Sequence, residues 1–113
     1  FGKNVAEYQL TQVKLGRMTA IIQASRQFSY EVAKLMAKGE GTMEASMVKA
    51  YVCKAAEWVS REAMQIHGGF GYAKEYHVER YLREVLITRI APVSPQLVLC
   101  FIAERVLGLP KSY

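Results

Sequence analysis

Leu35-Met36-Ala37-Lys38-Gly39-Glu40-Gly41-Thr42 separates two long helical patterns, and everything else is arranged around it. Upstream, from about Glu7 to Lys38, Leu10, Val13, Met18, Ile21, Phe28, Val32 and Leu35 recur at steps of mostly three or four, with no proline and only Gly16 inside. That period marks one apolar stripe on a long amphipathic helix. Glycine accepts the left-handed backbone that closes a helix, so Gly39 and Gly41 stop it, and Thr42 is placed to cap the next helix through its hydroxyl. A turn this tight predicts that the two helices pack antiparallel.

The second helix is expected from about Met43 to Ile66, with Val48, Tyr51, Val52, Ala55, Val59 and Ile66 on one side and Lys49, Lys54, Glu57 and Arg61 mostly on the other. At 1.5 Å per residue, helices of this length reach about 35 to 45 Å, which suits a bundle. Gly68-Gly69 ends the second helix, and 70–77, with Gly71 and three aromatics, reads as a structured loop. Val78 to about Arg89 carries Tyr81, Leu82, Val85 and Leu86 at helical spacing. Ser94-Pro95 then restarts a helix with a capping hydroxyl followed by proline, and Gly108 and Pro110 close it. Four helices without a strand predict an all-α, antiparallel up-and-down four-helix bundle occupying 1–113 as a single domain.

The last helix is apolar on nearly every side from Leu97 to Ala103, more than one buried stripe requires, so part of it is expected to face another chain or a further domain. The opening Phe1-Gly2-Lys3-Asn4 has neither an initiator methionine nor a signal pattern, which suggests a piece of a longer polypeptide.

Composition narrows the function classes. The chain has 113 residues, 51% hydrophobic and 22% charged, with three prolines and eight glycines, as a folded domain has. No stretch is long and apolar enough to span a membrane, so a soluble protein is expected. The net charge is +5, but Lys and Arg are scattered from Lys3 to Lys111 without a basic block, so no nucleic-acid partner is read from it. Cys53 and Cys100 lack metal-ligand spacing and are read as buried free thiols, fitting a reducing compartment. His67 and His77 are isolated, and no metal site is expected. Glu79 with Arg83 and Arg80 with Glu84 have the i, i+4 spacing of helix-surface ion pairs. Tyr8, Tyr30, Tyr51, Phe28 and Trp58 read as core or interface residues.

Periodicity alone shows no nucleophile with a base and no phosphate loop. One segment does not look like packing: Gln65-Ile66-His67-Gly68-Gly69-Phe70-Gly71-Tyr72 sets a carboxamide at a helix end before three glycines in four residues. Glycines there either cap the helix or let a ligand approach the backbone closely.

The whole phrase, continuing through Ala73-Lys74-Glu75-Tyr76 and Val78-Glu79-Arg80-Tyr81-Leu82-Arg83-Glu84, resembles the C-terminal domain of the flavin-dependent acyl-CoA dehydrogenases. Phe1-Gly2-Lys3, followed by Ala6-Glu7-Tyr8-Gln9, is similar to a second phrase of that family, so the resemblance covers the entire chain. It implies a helical bundle that assembles as a homo-dimer or homo-tetramer, with FAD where two subunits meet. It further implies an acyl-CoA substrate, an electron-transfer flavoprotein-like acceptor, and a bacterial cytoplasmic or mitochondrial matrix location.

By this resemblance Phe1 touches the flavin region and Gln9 the dinucleotide. Gln65, Ile66, His67, Gly68 and Gly69 receive the adenine and pyrophosphate end of an FAD held mainly by the neighbouring subunit. Backbone amides and carboxamides suit neutral recognition of these groups. An arginine that the family carries just before Phe-Gly would lie upstream of residue 1.

The family usually places Tyr-Glu-Gly-Thr-Ser-Gln between its last two helices, the glutamate removing the α-proton of the thioester. Here the stretch is Ala91-Pro92-Val93-Ser94-Pro95-Gln96. Pro92 has no titratable group, so no catalytic residue is assigned within this chain, whereas Ser94 and Gln96 match flavin-contacting positions. Three readings follow: the base comes from an earlier helix, the chain belongs to a base-free partner subunit, or the flavoprotein runs another reaction. A stand-alone helical interaction module, with Gly68-Gly69 as a mere cap, is the competing class.

Overall fold

The computed structural model describes residues 2–113. A 3-10 turn, Val5–Glu7, leads into α1 (Gln9–Met36), α2 (Thr42–His67), the single-turn α3 (Gly69–Tyr72), a second 3-10 turn (Lys74–Tyr76), α4 (Val78–Ile87) and α5 (Pro95–Leu107). No strand occurs among the described residues, and the four main helices fall where the apolar periodicity places them.

Three contacts fix the register of α1 against α2. Lys14 pairs with Glu62 at 3.2 Å, Arg17 stacks over the Trp58 ring at 4.9 Å, and Phe28 meets Tyr51 edge-on at 6.4 Å. As one residue number rises the other falls, which is the antiparallel arrangement expected of the short connection. In that connection Gly41, not Thr42, is the N-cap of α2, at φ +82° and ψ +16°, and Thr42 becomes the first helical residue. A Cβ at Gly41 would also lie 2.7 Å from the Cβ of Leu35. Left-handed backbone and steric closeness both demand glycine here, so the cap position is taken before the threonine hydroxyl is reached.

α2 is the hub, with α1, α4 and α5 all packed on it. The side of α2 opposite its apolar stripe is also covered in part: Lys49 and Glu57 are half-buried and engage the segment that joins α4 to α5. The segment after α2, expected as a loop, contains one α-helical and one 3-10 turn. Gly71 allows this compaction, because a Cβ there would sit 2.6 Å from the Met64 carbonyl oxygen. At the start of α5 the Ser94 hydroxyl oxygen accepts the Leu97 N–H at 3.3 Å with Pro95 in the first turn, as the sequence predicts. Gly108 closes α5 at φ +68°.

Among the described residues the buried apolar core is small: Met18, Val32, Val78 and Val98. The chain exposes 8277 Å², whereas a compact monomer of its mass exposes roughly 6,300 Å². Its radius of gyration is 17.4 Å, against about 13 Å for a compact domain of this length. Leu10 (72% exposed), Val13 (61%), Leu99 (57%) and Leu107 (69%) stand open to solvent. Tyr8, Tyr30 and Tyr51 are also exposed, which takes them out of the core. Cys53 and Cys100 are free and half-buried rather than fully buried. No helix among the described residues is long and apolar enough to cross a membrane.

Candidate functional site

The first set of site residues gathers at one end of the bundle. Gln9 opens α1 and Gln65, Ile66 and His67 finish α2, and the antiparallel register brings these two helix ends together. Gln65 is exposed, as are Gly68 and Gly69, while Ile66 is half-buried. Phe1 lies outside the described residues.

The glycines here have separable causes. Gly68 takes φ +59° and ψ −137°, a backbone that side chains strongly disfavour, and its N–H donates to the Gln65 carbonyl at 3.2 Å. Gly71 is required by the Met64 carbonyl. Gly69 has neither reason: its φ is not positive, and a Cβ there would meet nothing within 4 Å. Capping thus explains Gly68, internal packing explains Gly71, and Gly69 is explained by neither. A Cβ at Gly68 would likewise meet nothing within 4 Å, so the backbone at 68–69 is open to close approach from outside.

His67 is partly committed to the fold. Its Nδ1 donates to the Ala63 carbonyl at 2.8 Å and its ring meets Tyr76 edge-on at 6.3 Å. Tyr76 in turn packs on Phe70 at 5.2 Å, so an aromatic cluster supports the turn beneath the glycines.

Ser94 and Gln96 are elsewhere. The segment that carries them is tied to Lys49, and Val93, Leu97 and Val98 line a groove with Ser46 near the start of α2. Along α2, the sixteen residues from Lys49 to Gln65 correspond to about 24 Å. The two sets therefore do not converge on one point within a chain. The Ser94 hydroxyl accepts from Leu97 N–H and keeps its own proton to donate, and Gln96 presents an exposed carboxamide. These donor sets fit a long dinucleotide: open glycine backbone and a carboxamide at one end, a hydroxyl and a carboxamide at the other.

Pro92, exposed beside these groups, offers no acid or base. Carboxylates elsewhere are largely engaged: Glu57 with Arg61 and Arg89, Glu62 with Lys14, Glu79 with Arg83, and Glu84 with Arg80. The last two pairs are the ones predicted from spacing. Among the described residues, no group of three or more His, Cys, Asp or Glu residues could hold a metal ion.

Sequence reasoning placed Lys49 on the side of α2 opposite the apolar residues and gave it no part in this region. The available signal was weak: Lys49 shares a helical stripe with Cys53 and Glu57, a mixed stripe that suits a neighbour as well as water.

The chain is a helical bundle whose central helix closes on an open glycine pair. The family model for the acyl-CoA dehydrogenase C-terminal domain matches residues 1–107, and the chain belongs to that family. It is 38% identical over 91 residues to the caffeyl-CoA reductase-Etf complex subunit CarC of Acetobacterium woodii, covering 80% of this chain and 24% of that protein. It is 36% identical over 109 residues to an acyl-CoA dehydrogenase of Bacillus subtilis, covering 96% and 29%. The structure of butyryl-CoA dehydrogenase from Megasphaera elsdenii superposes with a TM-score of 0.90 at 33% identity, over 95% of this chain and 28% of that one. The chain thus spans about a quarter of the length of the relatives it matches.

Proposed function

We propose that this chain is the C-terminal domain of an oligomeric FAD-dependent enzyme that interconverts saturated and α,β-unsaturated acyl-CoA thioesters. In this reading it supplies part of an intersubunit FAD site and much of the subunit interface. The observation that carries it is Gly69, which neither its own backbone nor packing against the described residues requires, at the end of a helix in a member of this family.

Gln65 and the open backbone of Gly68 and Gly69, joined by Gln9, Ile66 and His67, bind the adenine and pyrophosphate end. Ser94 and Gln96 donate hydrogen bonds toward the flavin end. The rise of about 24 Å along α2 from Lys49, beside the Ser94 segment, to Gln65 supports each set addressing a different part of the cofactor. When bound, FAD supplies the acceptor for the hydride that leaves the β-carbon.

Pro92 cannot take the α-proton, nor return it in the reductive direction, since both directions pass through the same transition state. The base is therefore a carboxylate outside residues 91–96, on an earlier helix of the whole enzyme. The competing reading, a base-lacking partner subunit, keeps the cofactor contacts but no turnover.

The excess exposed surface supports a homo-dimer or homo-tetramer, with Leu99 and Leu107 of α5 among the residues it covers. Similarity to a subunit of a reductase-Etf complex supports an electron-transfer flavoprotein as redox partner. Bacterial relatives and a mitochondrial one, short-chain specific acyl-CoA dehydrogenase of Bos taurus at 34% identity, support bacterial cytoplasm or mitochondrial matrix.

The test is the visible spectrum of the full-length protein, recorded without oxygen against a panel of acyl-CoA thioesters. Bleaching of the flavin band by one of them establishes the dehydrogenase with its base outside 91–96. A bound flavin that no thioester reduces favours the base-lacking subunit.

A further inference from the structure

Residues 88–91 are held locally by turn bonds back to the end of α4, but these bonds leave the Thr88 and Ala91 carbonyls without a local partner. Arg89, Ile90 and Ala91 donate local turn bonds back to Leu86 and Ile87, and Pro92 and Pro95 have no N–H to give. The carbonyls of Thr88 and Ala91 are instead satisfied from across the bundle: Lys49 Nζ donates to Thr88 O and, at 2.8 Å, to Ala91 O. One half-buried ammonium on α2 therefore gathers two carbonyls from a segment about forty residues away in sequence, the separations being 39 and 42. No carboxylate pairs with Lys49 in the described structure. A cation at this place also meets the carbonyl end of α4, where the helix dipole favours it. Two turns along α2, Glu57 holds Arg89 through Nε at 3.0 Å, so the same helix grips the segment at a second point.

Ala91 stands only three residues before Ser94, whose hydroxyl caps α5. We infer that Lys49 is a positioning residue: by clamping the Thr88 and Ala91 carbonyls it sets where Ser94 and Gln96 stand against the flavin. This rests on the proposed cofactor site. A lysine suits the task because its three N–H donors can serve two carbonyls at once, and methionine of similar length can serve none. With the clamp gone, the prolines prevent the segment from closing a ladder of its own, and the cap of α5 is left to wander.

The experiment uses the full-length protein as wild type, Lys49→Met, Lys49→Gln and Lys49→Arg. Amide hydrogen exchange across 88–98 reads the clamp directly, and the position and fine structure of the visible flavin band read the placement of Ser94 and Gln96. Lys49→Met is expected to raise exchange in 88–98 at least tenfold and to shift the flavin band, with exchange in α1 unchanged. Lys49→Arg restores both, because a guanidinium still donates to two carbonyls. Should Lys49→Met fail to fold, Lys49→Gln, which keeps a donor on a shorter arm, is expected to show the same two changes at smaller size. Wild-type exchange in a flavin-loaded Lys49→Met protein overturns the clamp. Faster exchange with an unaltered flavin band overturns the positioning role. A wild-type protein that takes up no flavin removes the cofactor site itself and the role of Lys49 with it, an outcome separate from the other two.

Discussion

A Cβ built on Gly71 comes within 2.6 Å of the carbonyl oxygen of Met64, whereas one built on Gly69, two residues earlier, meets nothing within 4 Å. The difference separates a glycine that the fold needs from one that it does not. Gly71→Ala is expected to destabilise the protein by about 1–3 kcal/mol, since backbone and not a flexible side chain must yield. Gly69→Ala should stay within about 0.5 kcal/mol of wild type. Urea unfolding of the two variants side by side checks this, and equal losses would remove the distinction.

The cap of α5 gives a second prediction. Ser94 Oγ accepts the Leu97 N–H at 3.3 Å, and Pro95 already lacks an N–H, so the serine satisfies a donor that has no other partner. Ser94→Ala is expected to cost about 1 kcal/mol, and Ser94→Asp to recover most of it. The same urea midpoints read both, and an Asp variant no better than Ala would contradict the capping role.

Ion pairs on this surface should differ in value. Glu57 is half-buried and accepts from both Arg61 at 2.9 Å and Arg89 at 3.0 Å, tying α2 to the end of α4. Lys34 and Glu31 are both largely exposed on one helix. Glu57→Gln is expected to cost about 1 kcal/mol and Glu31→Gln a few tenths at most, with the smaller effect vanishing in salt. Thermal unfolding at low and high ionic strength distinguishes them.

Assembly should depend on the open apolar face of α5. Leu99 and Leu107 are exposed although the helix has almost no polar side on which to place water. Leu99→Lys with Leu107→Lys in the full-length protein is expected to shift the oligomer toward smaller species at unchanged helix content. Light scattering measures it, and an unaltered mass would place the subunit interface elsewhere.

How far the sequence could be read follows from the physics of each feature. Helix positions were legible because apolar period, Gly39, Gly41, Ser94-Pro95 and Gly108 are local signals that agree with one another. The pair Arg80–Glu84 was legible for the same reason, being settled within one helical turn. Thr42 misled because a capping hydroxyl is only useful if the residue before it is not already the cap, and the left-handed Gly41 decides that. The parts played by Lys49 and Glu57 were not legible, because charge on one helix face says nothing about which segment folds over it. The functions of Gly68, Gly69 and Gly71 could not be separated from spacing, since only the position of Met64 distinguishes packing from openness. Nor could spacing show that Gln65 and Ser94 lie at different ends of α2.

The most direct measurement is the flavin content of the full-length oligomer, compared between wild type and Gln65→Trp with Gly69→Phe. The account predicts a yellow wild type and a nearly colourless variant, with helix content and oligomeric mass the same in both. Equal flavin in the two proteins would contradict the assignment of residues 65–69 to the cofactor.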